Sequence, residues 1–408
     1  MSILTAFAAE QHSCQHTAWA HEVLKCQENA GFLFATPEYI LTGEQKRADI
    51  QVSPDSKLSD WISTAKQALS NAQAQGDRKT MLMGGIPFAS SHDVNLMLLD
   101  QVKVYQKLLY QPYHQLHNLT LKHASYIPQG TDYQAQVQYL VDEMQAGKLS
   151  KAVLARILEL EFDQPIDASA LLQQLTQANP EGYSYAVAND PKQHGWFMGA
   201  SPELLVGRQG RQIWSKPVAG TLARDLDPIQ DQANAQTLLQ SNKDQHEHRV
   251  VIEMIADTLA PFCSKLNIPK QPELIRTQRL WHLATQIQGE LKSKDTHVLD
   301  LVQCLHPTPA ICGQPTHTAK ELILALEPFN RELFAGTMGW ADGEGNGEWS
   351  VTVRCARIQH NIARLFAGAG IVSASQPEAE HAETAAKLRT VLDGFALNPT
   401  DIQAVLES

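Results

Sequence analysis

The chain has 408 residues, 43% hydrophobic and 19% charged, enough to bury a large core in one big domain or two ordinary ones. Its formal net charge of −11 argues against a nucleic-acid backbone as partner, yet allows a small anionic ligand met by a few local cations. The six cysteines (Cys14, Cys26, Cys263, Cys304, Cys312 and Cys355) form no CxxC pair and read as reduced thiols. With no basic segment at the N-terminus and no apolar run of membrane-spanning length, the sequence predicts a cytoplasmic protein that does not engage a membrane.

In the first 120 residues, strand-like runs at "GFLFATPEYILTG" and "TMLMGGIPFA" are interspersed with helical stretches at "LSDWISTAKQALSNAQAQG" and "VNLMLLDQVKVYQKLLYQ". "TDYQAQVQYLVDEMQAGKLSKAVLARILELEF" then reads as a helix followed by a long strand over residues 151–162. Its alternation puts Lys151, Val153, Ala155 and Ile157 on one face. Further strands are predicted at "GWFMGASPELLVGRQG", "RQIWSKPVAGT", "LFAGTMGWADG", "GEWSVTVRCARIQ" and "IARLFAGAGIV", and helices over 229–261, 317–327 and 378–395. "ADGEGNGEW" is a glycine-rich hairpin turn. Long hairpin strands with helices between them predict an α+β fold, a large two-sheet β-sandwich core flanked by helices, rather than a doubly wound parallel sheet.

Two helices carry acids three residues apart. In "KDQHEHRVVIEM", Glu247 lies three, four and seven residues before Val250, Val251 and Met254, so it extends an apolar stripe, with Asp244 one turn further up the same side. Such a pair reads either as a solvated N-terminal turn or as acids facing a cleft, where they need a partner. In "EAEHAETAAKL", Glu380 and Glu383 lie beside the stripe of Leu388, Val391 and Leu392, and Lys387 stands four residues past Glu383, the spacing of a surface ion pair. Together the two helices can supply a hard oxygen site of the kind that suits Mg²⁺. Zinc fits poorly, because His246 and His248 point to nearly opposite sides of their helix and read as surface or capping residues.

Three more side chains carry chemistry. Lys151, on an otherwise apolar strand face, is either a snorkelling lysine or one desolvated enough to act as a base. Glu203 in "GASPELL" is a turn-capping acid or a protonated carboxyl serving as general acid. Arg354 in "SVTVRCARI", sharing a strand face with Ser350, Thr352 and Ala356, has room beside its guanidinium for a carboxylate, and suits a structural ion pair equally well. "FAGAGIV" lacks the third glycine and following helix of a dinucleotide fingerprint; its glycines instead permit close approach of backbone to a carboxylate.

Taken in order, "KAVLAR", "GASPELL", "KPVAGT", "KDQHEH", "HPTPAICG", "ELFAGTMG", "VTVRCARI" and "GAGIVSASQPEAEHAET" resemble the chorismate-utilising enzymes. That family includes anthranilate synthase component I, aminodeoxychorismate synthase, salicylate synthase and isochorismate synthase. The resemblance spans residues 150 to 395, and "FLFATPEYILTGE" extends it to the N-terminal part. It implies an anthranilate synthase component I-like, chorismate-binding fold in which residues 1–408 form a single domain. Residues 1–135 would be a divergent N-terminal part and 136–400 the catalytic core.

The same resemblance implies that the acidic helices face one another across a Mg²⁺ that holds the ring carboxylate of chorismate. Glu247 and Glu383 would be direct ligands, while Asp244 (shorter than the family's glutamate) and Glu380 would hold metal-bound waters. Lys387 and the Gly220 amide would meet the ring carboxylate, and Arg354 and the backbone at Gly368 the enolpyruvyl carboxylate. Thr221, His282, Ala310, Ile311 and Phe334 would complete the pocket. A lysine at 151 goes with water as nucleophile, and Ala219 stands where aminodeoxychorismate synthases often carry an attacking lysine. "HPTPAICG" then favours isochorismate synthase over salicylate synthase. The implied protein is a monomeric isomerase that interconverts chorismate and isochorismate, with Lys151 as base and Glu203 as acid, and of a length that resembles the siderophore type. A salicylate synthase and a non-catalytic chorismate-binding regulator are the alternatives.

Overall fold

The computed structural model describes residues 31–53, 56–77, 79–89, 94–106, 119–190, 195–397 and 399–407. Cys14, Cys26 and the N-terminal stretch read for a leader lie outside these residues, and Cys263, Cys304, Cys312 and Cys355 are free thiols. Among the described residues, seventeen strands join into one hydrogen-bonded network.

One half of that network sets Leu121–Ile127, Lys151–Phe162, Ile362–Ile371, Cys355–Gln359, Gly195–Ser201 and Tyr183–Asp190 side by side, all antiparallel. The other half runs from Tyr39–Asp49 through Asn95–Gln106, Met81–Ile86, Thr337–Asp342, Gly347–Val351 and Leu204–Gln209. It ends on Gln212–Lys216, Ile287–Leu291 and Cys263–Asn267. The fully buried strand Phe32–Ala35 bonds to Tyr39–Asp49 on one side and Tyr183–Asp190 on the other, so the two expected sheets are continuous through it.

The period of two along each strand sorts side chains into layers. In Tyr183–Asp190, Tyr183, Tyr185 and Val187 enter the large central core, whereas Ala186 and Ala188 face a second, outer one. The central core draws Phe197 and Phe366 from the first half and Met83, Val206 and Trp340 from the second, which is the sandwich. The outer core is closed by Leu171, Leu172 and Leu175 of helix Ala168–Ala178 and by Leu388, Val391 and Leu392 of helix Pro377–Leu392. A small separate sheet holds Val218–Ala223, Leu280–Ala284 and Glu273–Arg276.

Four sequence expectations change. "VNLMLLDQVKVYQ" is the strand Asn95–Gln106, not a helix: it is bonded on both sides, and Leu96 to Leu99 are all buried. For so short an apolar run, two partner ladders decide what periodicity leaves ambiguous. The predicted helix over 229–261 is two, Pro228–Gln240 and Asn242–Leu259, because Ser241 adopts an extended conformation and its hydroxyl caps Asp244 N. "RQIWSKPVAGT" divides at Pro217 between the two sheets, since proline has no N–H to give a ladder. His248 is buried with Nε2 2.7 Å from Thr285 Oγ1, not on the surface, because its helix face packs on the small sheet; His246 is exposed as expected.

Phe34 has no exposed surface and packs against Tyr183 with ring centroids 5.8 Å apart. Phe34→Ala is expected to destabilise the fold by about 3–5 kcal/mol, read as a lower urea midpoint at unchanged slope. A loss under about 1 kcal/mol would mean that the joining strand is not packed as described.

Candidate active site

The ladder between Lys151–Phe162 and Ile362–Ile371 sets Ala152 opposite Ile371, Val153 opposite Gly370 and Ala155 opposite Gly368. The last two pairs stand on the face that carries Lys151. Lys151, 1% exposed, donates from Nζ to Glu247 Oε1 at 2.8 Å. Gly370 makes that approach possible: a Cβ there would stand 2.3 Å from the same oxygen. Gly370 is one of the two "FAGAGIV" glycines expected to let a carboxylate approach the backbone, and the carboxylate it admits is that of Glu247.

Glu203 follows Pro202 between the strands Gly195–Ser201 and Leu204–Gln209, where Ser201 Oγ accepts from its backbone N–H at 3.1 Å. It is 5% exposed, and burial pushes its pKa up to about 7, against opposing pulls from the Val218 amide, Arg354, Lys151 and Lys387. This is the half-protonated carboxyl that a general acid near neutrality needs.

Arg354 departs from expectation. It lies between the strands Gly347–Val351 and Cys355–Gln359, not on a strand face, with a left-handed φ of 52°. A non-glycine residue there is held against a steric preference of about 1–3 kcal/mol. The turn aims a buried guanidinium at the cavity, with NH2 3.4 Å from His282 Nε2 and Nε without any hydrogen-bond partner. His282 is fully buried, and burial, then Arg354 and Lys387, hold its pKa well below the usual histidine range. The neutral ring lies 3.0 Å through Nδ1 from Thr221 Oγ1. Since a guanidinium only donates, His282 Nε2 is the acceptor and Nδ1 carries the proton.

One cavity is lined by most of the expected residues, Glu203, Gly220, Thr221, Glu247, Ala310, Ile311, Phe334, Arg354, Gly368, Glu383 and Lys387, whereas Lys151, Asp244, His282 and Glu380 stand outside its wall and Lys151 meets it only through Glu247. Buried Arg331, paired with Glu327 at 2.6 Å, donates to Val153 O at 2.6 Å and Ile311 O at 3.1 Å, tying the Ala310–Ile311 loop to the Lys151 strand. Gly220 has φ 81°, and a Cβ on it would stand 3.0 Å from the Asp244 Cβ, so glycine suits both its backbone and its neighbour. Lys387 donates to Gly368 O at 2.9 Å and pairs with Glu383 at 2.6 Å; the pair expected at the surface instead flanks the cavity.

The four acids sense one another. Burial, then Glu247 among the charges, raises Asp244; burial and Glu383 raise Glu380. Burial alone would raise Glu247, but Lys151, Lys387 and Lys243 outweigh it and hold it below the ordinary carboxylate range. Lys243, which the sequence reading did not single out, pairs with Glu380 at 2.7 Å. Three of the acids thus hold a lysine each and Asp244 holds Ser241, and among the described residues no three acid, histidine or cysteine side chains gather closely enough to ligate one ion.

The donor chemistry still fits a hard divalent cation. The Glu380 Oε2 atom is buried with no hydrogen-bond partner, and all four candidates are carboxylates. Asp244, Glu247, Glu380 and Glu383 lie among Lys151, Lys243, Lys387 and Arg354, so a dianion bound there calls for further positive charges. A divalent cation supplies them.

Fold and cavity together define an enzyme site in which a near-neutral carboxyl and a glutamate held by a buried amine line a pocket that also presents Arg354 and Lys387. Residues 77–396 match the family model described as chorismate binding enzyme. The isochorismate synthase DhbC of Bacillus subtilis (strain 168) is 38% identical over 400 residues, 95% of this chain and 99% of the relative. A crystal structure described as a 2,3-dihydroxybenzoate-specific isochorismate synthase, DhbC, from Bacillus anthracis superposes with a TM-score of 0.86 at 37% identity, covering 93% of this chain and 100% of that one. Anthranilate synthase component I from Streptococcus pneumoniae, at 17% identity, shares the fold with a TM-score of 0.69 over 96% of this chain and 97% of its own. The chain belongs to the chorismate-binding enzymes.

Because the raised pKa of Glu203 favours its neutral form, its contribution to stability is fully present below pH about 4.5 and is lost as pH rises toward about 7. Glu203→Gln, neutral at every pH, is therefore expected to be more stable than the parent at pH 8, by on the order of 2–3 kcal/mol, with the gain vanishing near pH 4.5. Paired denaturant titrations at the two pH values measure it; equal differences at both would place the Glu203 carboxyl in water.

Proposed function

We propose that this chain is an isochorismate synthase, converting chorismate reversibly to isochorismate by addition of water at C2 and loss of the C4 hydroxyl. The observation that carries the reading is one cavity lined both by Glu203, whose pKa is pushed up to about 7, and by Glu247, which the buried Lys151 amine holds from behind at 2.8 Å. The identity to isochorismate synthases over most of the chain supports it. We read the whole chain as one chorismate-binding unit whose residues 136–400 carry the chemistry.

Arg354, with an unpartnered buried donor, suits the enolpyruvyl carboxylate, together with the backbone at Gly368. Lys387 and the Gly220 amide suit the ring carboxylate. Mg²⁺, when bound, would neutralise that carboxylate; Glu247 and Glu383 would hold it directly, with Asp244 and Glu380 behind them through water.

Lys151 as the free amine takes a proton from water as its oxygen bonds to C2, and the ring double bond shifts. Glu203 gives its proton to the C4 hydroxyl, which leaves as water on the opposite face, so atoms and charge balance. In reverse the two exchange roles. Ala219, lining the pocket without an amine, leaves water as the nucleophile. Each proton transfer is worth about 10²–10⁴-fold in rate.

The named specificity of the Bacillus anthracis relative for 2,3-dihydroxybenzoate, a catechol acid with an adjacent oxygen pair suited to iron, supports an isochorismate supply for siderophore biosynthesis. Among the described residues no helix is long and apolar enough to cross a membrane, in keeping with a cytoplasmic enzyme that we read as a monomer.

Lys151→Ala is expected to lower turnover by at least about 10²-fold while chorismate still binds in the presence of Mg²⁺, measured by product chromatography beside calorimetry. Near-parental turnover would remove Lys151 from the role. Incubating the parent with chorismate and Mg²⁺ should give isochorismate without pyruvate; stoichiometric pyruvate and fluorescent salicylate would establish a salicylate synthase instead.

A further inference from the structure

Arg156 stands five residues along the strand from Lys151 and is 1% exposed. Among the described residues no carboxylate pairs with it. Its guanidinium lies over Tyr126 at 4.6 Å and near Tyr133 at 5.7 Å, and it donates three hydrogen bonds to one turn of helix Pro377–Leu392. Nε donates to Thr384 Oγ1 at 2.7 Å, NH1 to His381 Nε2 at 2.7 Å, and NH2 to His381 O at 3.3 Å. Thr384 in turn donates to His381 O at 2.8 Å, and Tyr133 donates from Oη to Leu154 O at 3.1 Å, back on the arginine's own strand. A buried charge of this kind contributes less to stability than an apolar side chain of equal volume, so its value lies in direction.

We propose that Arg156 is a positioning residue that fixes the rotation of the Pro377–Leu392 helix and thereby aims Glu380 and Glu383 at the cation site; this rests on the Mg²⁺ reading above. The two residues it grips, His381 and Thr384, directly follow the two acids. The buried apolar side chains of the helix, Leu388, Val391 and Leu392, lie in its C-terminal half, so the acidic turn is held chiefly by polar contacts. A roll of about 20° moves a carboxylate 5–6 Å from the helix axis by roughly 2 Å. That is as long as a Mg²⁺–oxygen bond, and Mg²⁺ tolerates little departure from octahedral geometry.

The test is calorimetric titration of the full chain with Mg²⁺, without chorismate, for the parent, Arg156→Lys and Thr384→Val. Lysine keeps the charge but cannot bridge both partners; valine keeps the shape of threonine but removes the hydroxyl. We expect Mg²⁺ affinity to fall by about 10–100-fold in Arg156→Lys and less in Thr384→Val, as for other residues that orient metal ligands. The Mg²⁺ concentration for half-maximal turnover should rise in parallel, while kcat at saturating Mg²⁺ and its pH profile hold. Parental affinity in both variants overturns the inference. So does a loss of binding that only tracks the unfolded fraction seen by circular dichroism. A parent that binds no Mg²⁺ and is indifferent to EDTA removes the metal reading itself, and this inference with it.

Discussion

The antiparallel ladder between Lys151–Phe162 and Ile362–Ile371 is the constraint on which the site depends. It fixes the amine of Lys151 beside Gly370, whose missing side chain admits Glu247, and it presents its other face to the helix that carries Glu380 and Glu383. A slip of one residue in this register would turn Lys151 away from Glu247 and move Arg156 to the opposite face of the sheet. Continuous pairing from Ile362 to Ile371 makes such a slip expensive, because the apolar residues on both faces would have to move with it.

Around that ladder the site solves an electrostatic problem. A dianion is to be held where four carboxylates already lie, in surroundings dry enough to push Glu203 to about 7 and to keep His282 neutral. Lysines on three of the acids make the assembly tolerable, and Arg354, Lys387 and the Gly220 amide offer positive potential on the ligand's side. Burial is thus a device here: it leaves a carboxyl protonated and gives each remaining charge more reach than it would have in water.

Much of this was legible in the sequence, for identifiable reasons. Alternation over 151–162 announced a strand with Lys151 on the face of Val153 and Ala155, whereas the paired acids left solvated faces and a cleft both open, and Glu247 and Glu383 are the two that line the cavity. What escaped depended on partners far along the chain. The strand Asn95–Gln106 is made by neighbours on both sides, and the left-handed turn at Arg354 has no local signal. Lys243 and Arg156 sat inside quoted motifs, yet their partners, Glu380 and the His381–Thr384 turn, are more than a hundred residues away.

The pairing pattern also bears on how the protein is made. Met81–Ile86 has a near partner in Asn95–Gln106 but finds its second only at Thr337–Asp342, and Lys151–Phe162, paired early with Leu121–Ile127, waits for Ile362–Ile371. A ribosome that has released the first three hundred residues has exposed strand edges but no closed sandwich, and long-range closure of this kind is slow and prone to wrong association. The helix bearing Glu380 and Glu383 emerges last of the catalytic parts. An unfinished chain therefore lacks Glu380, Glu383 and Lys387 and has no complete site.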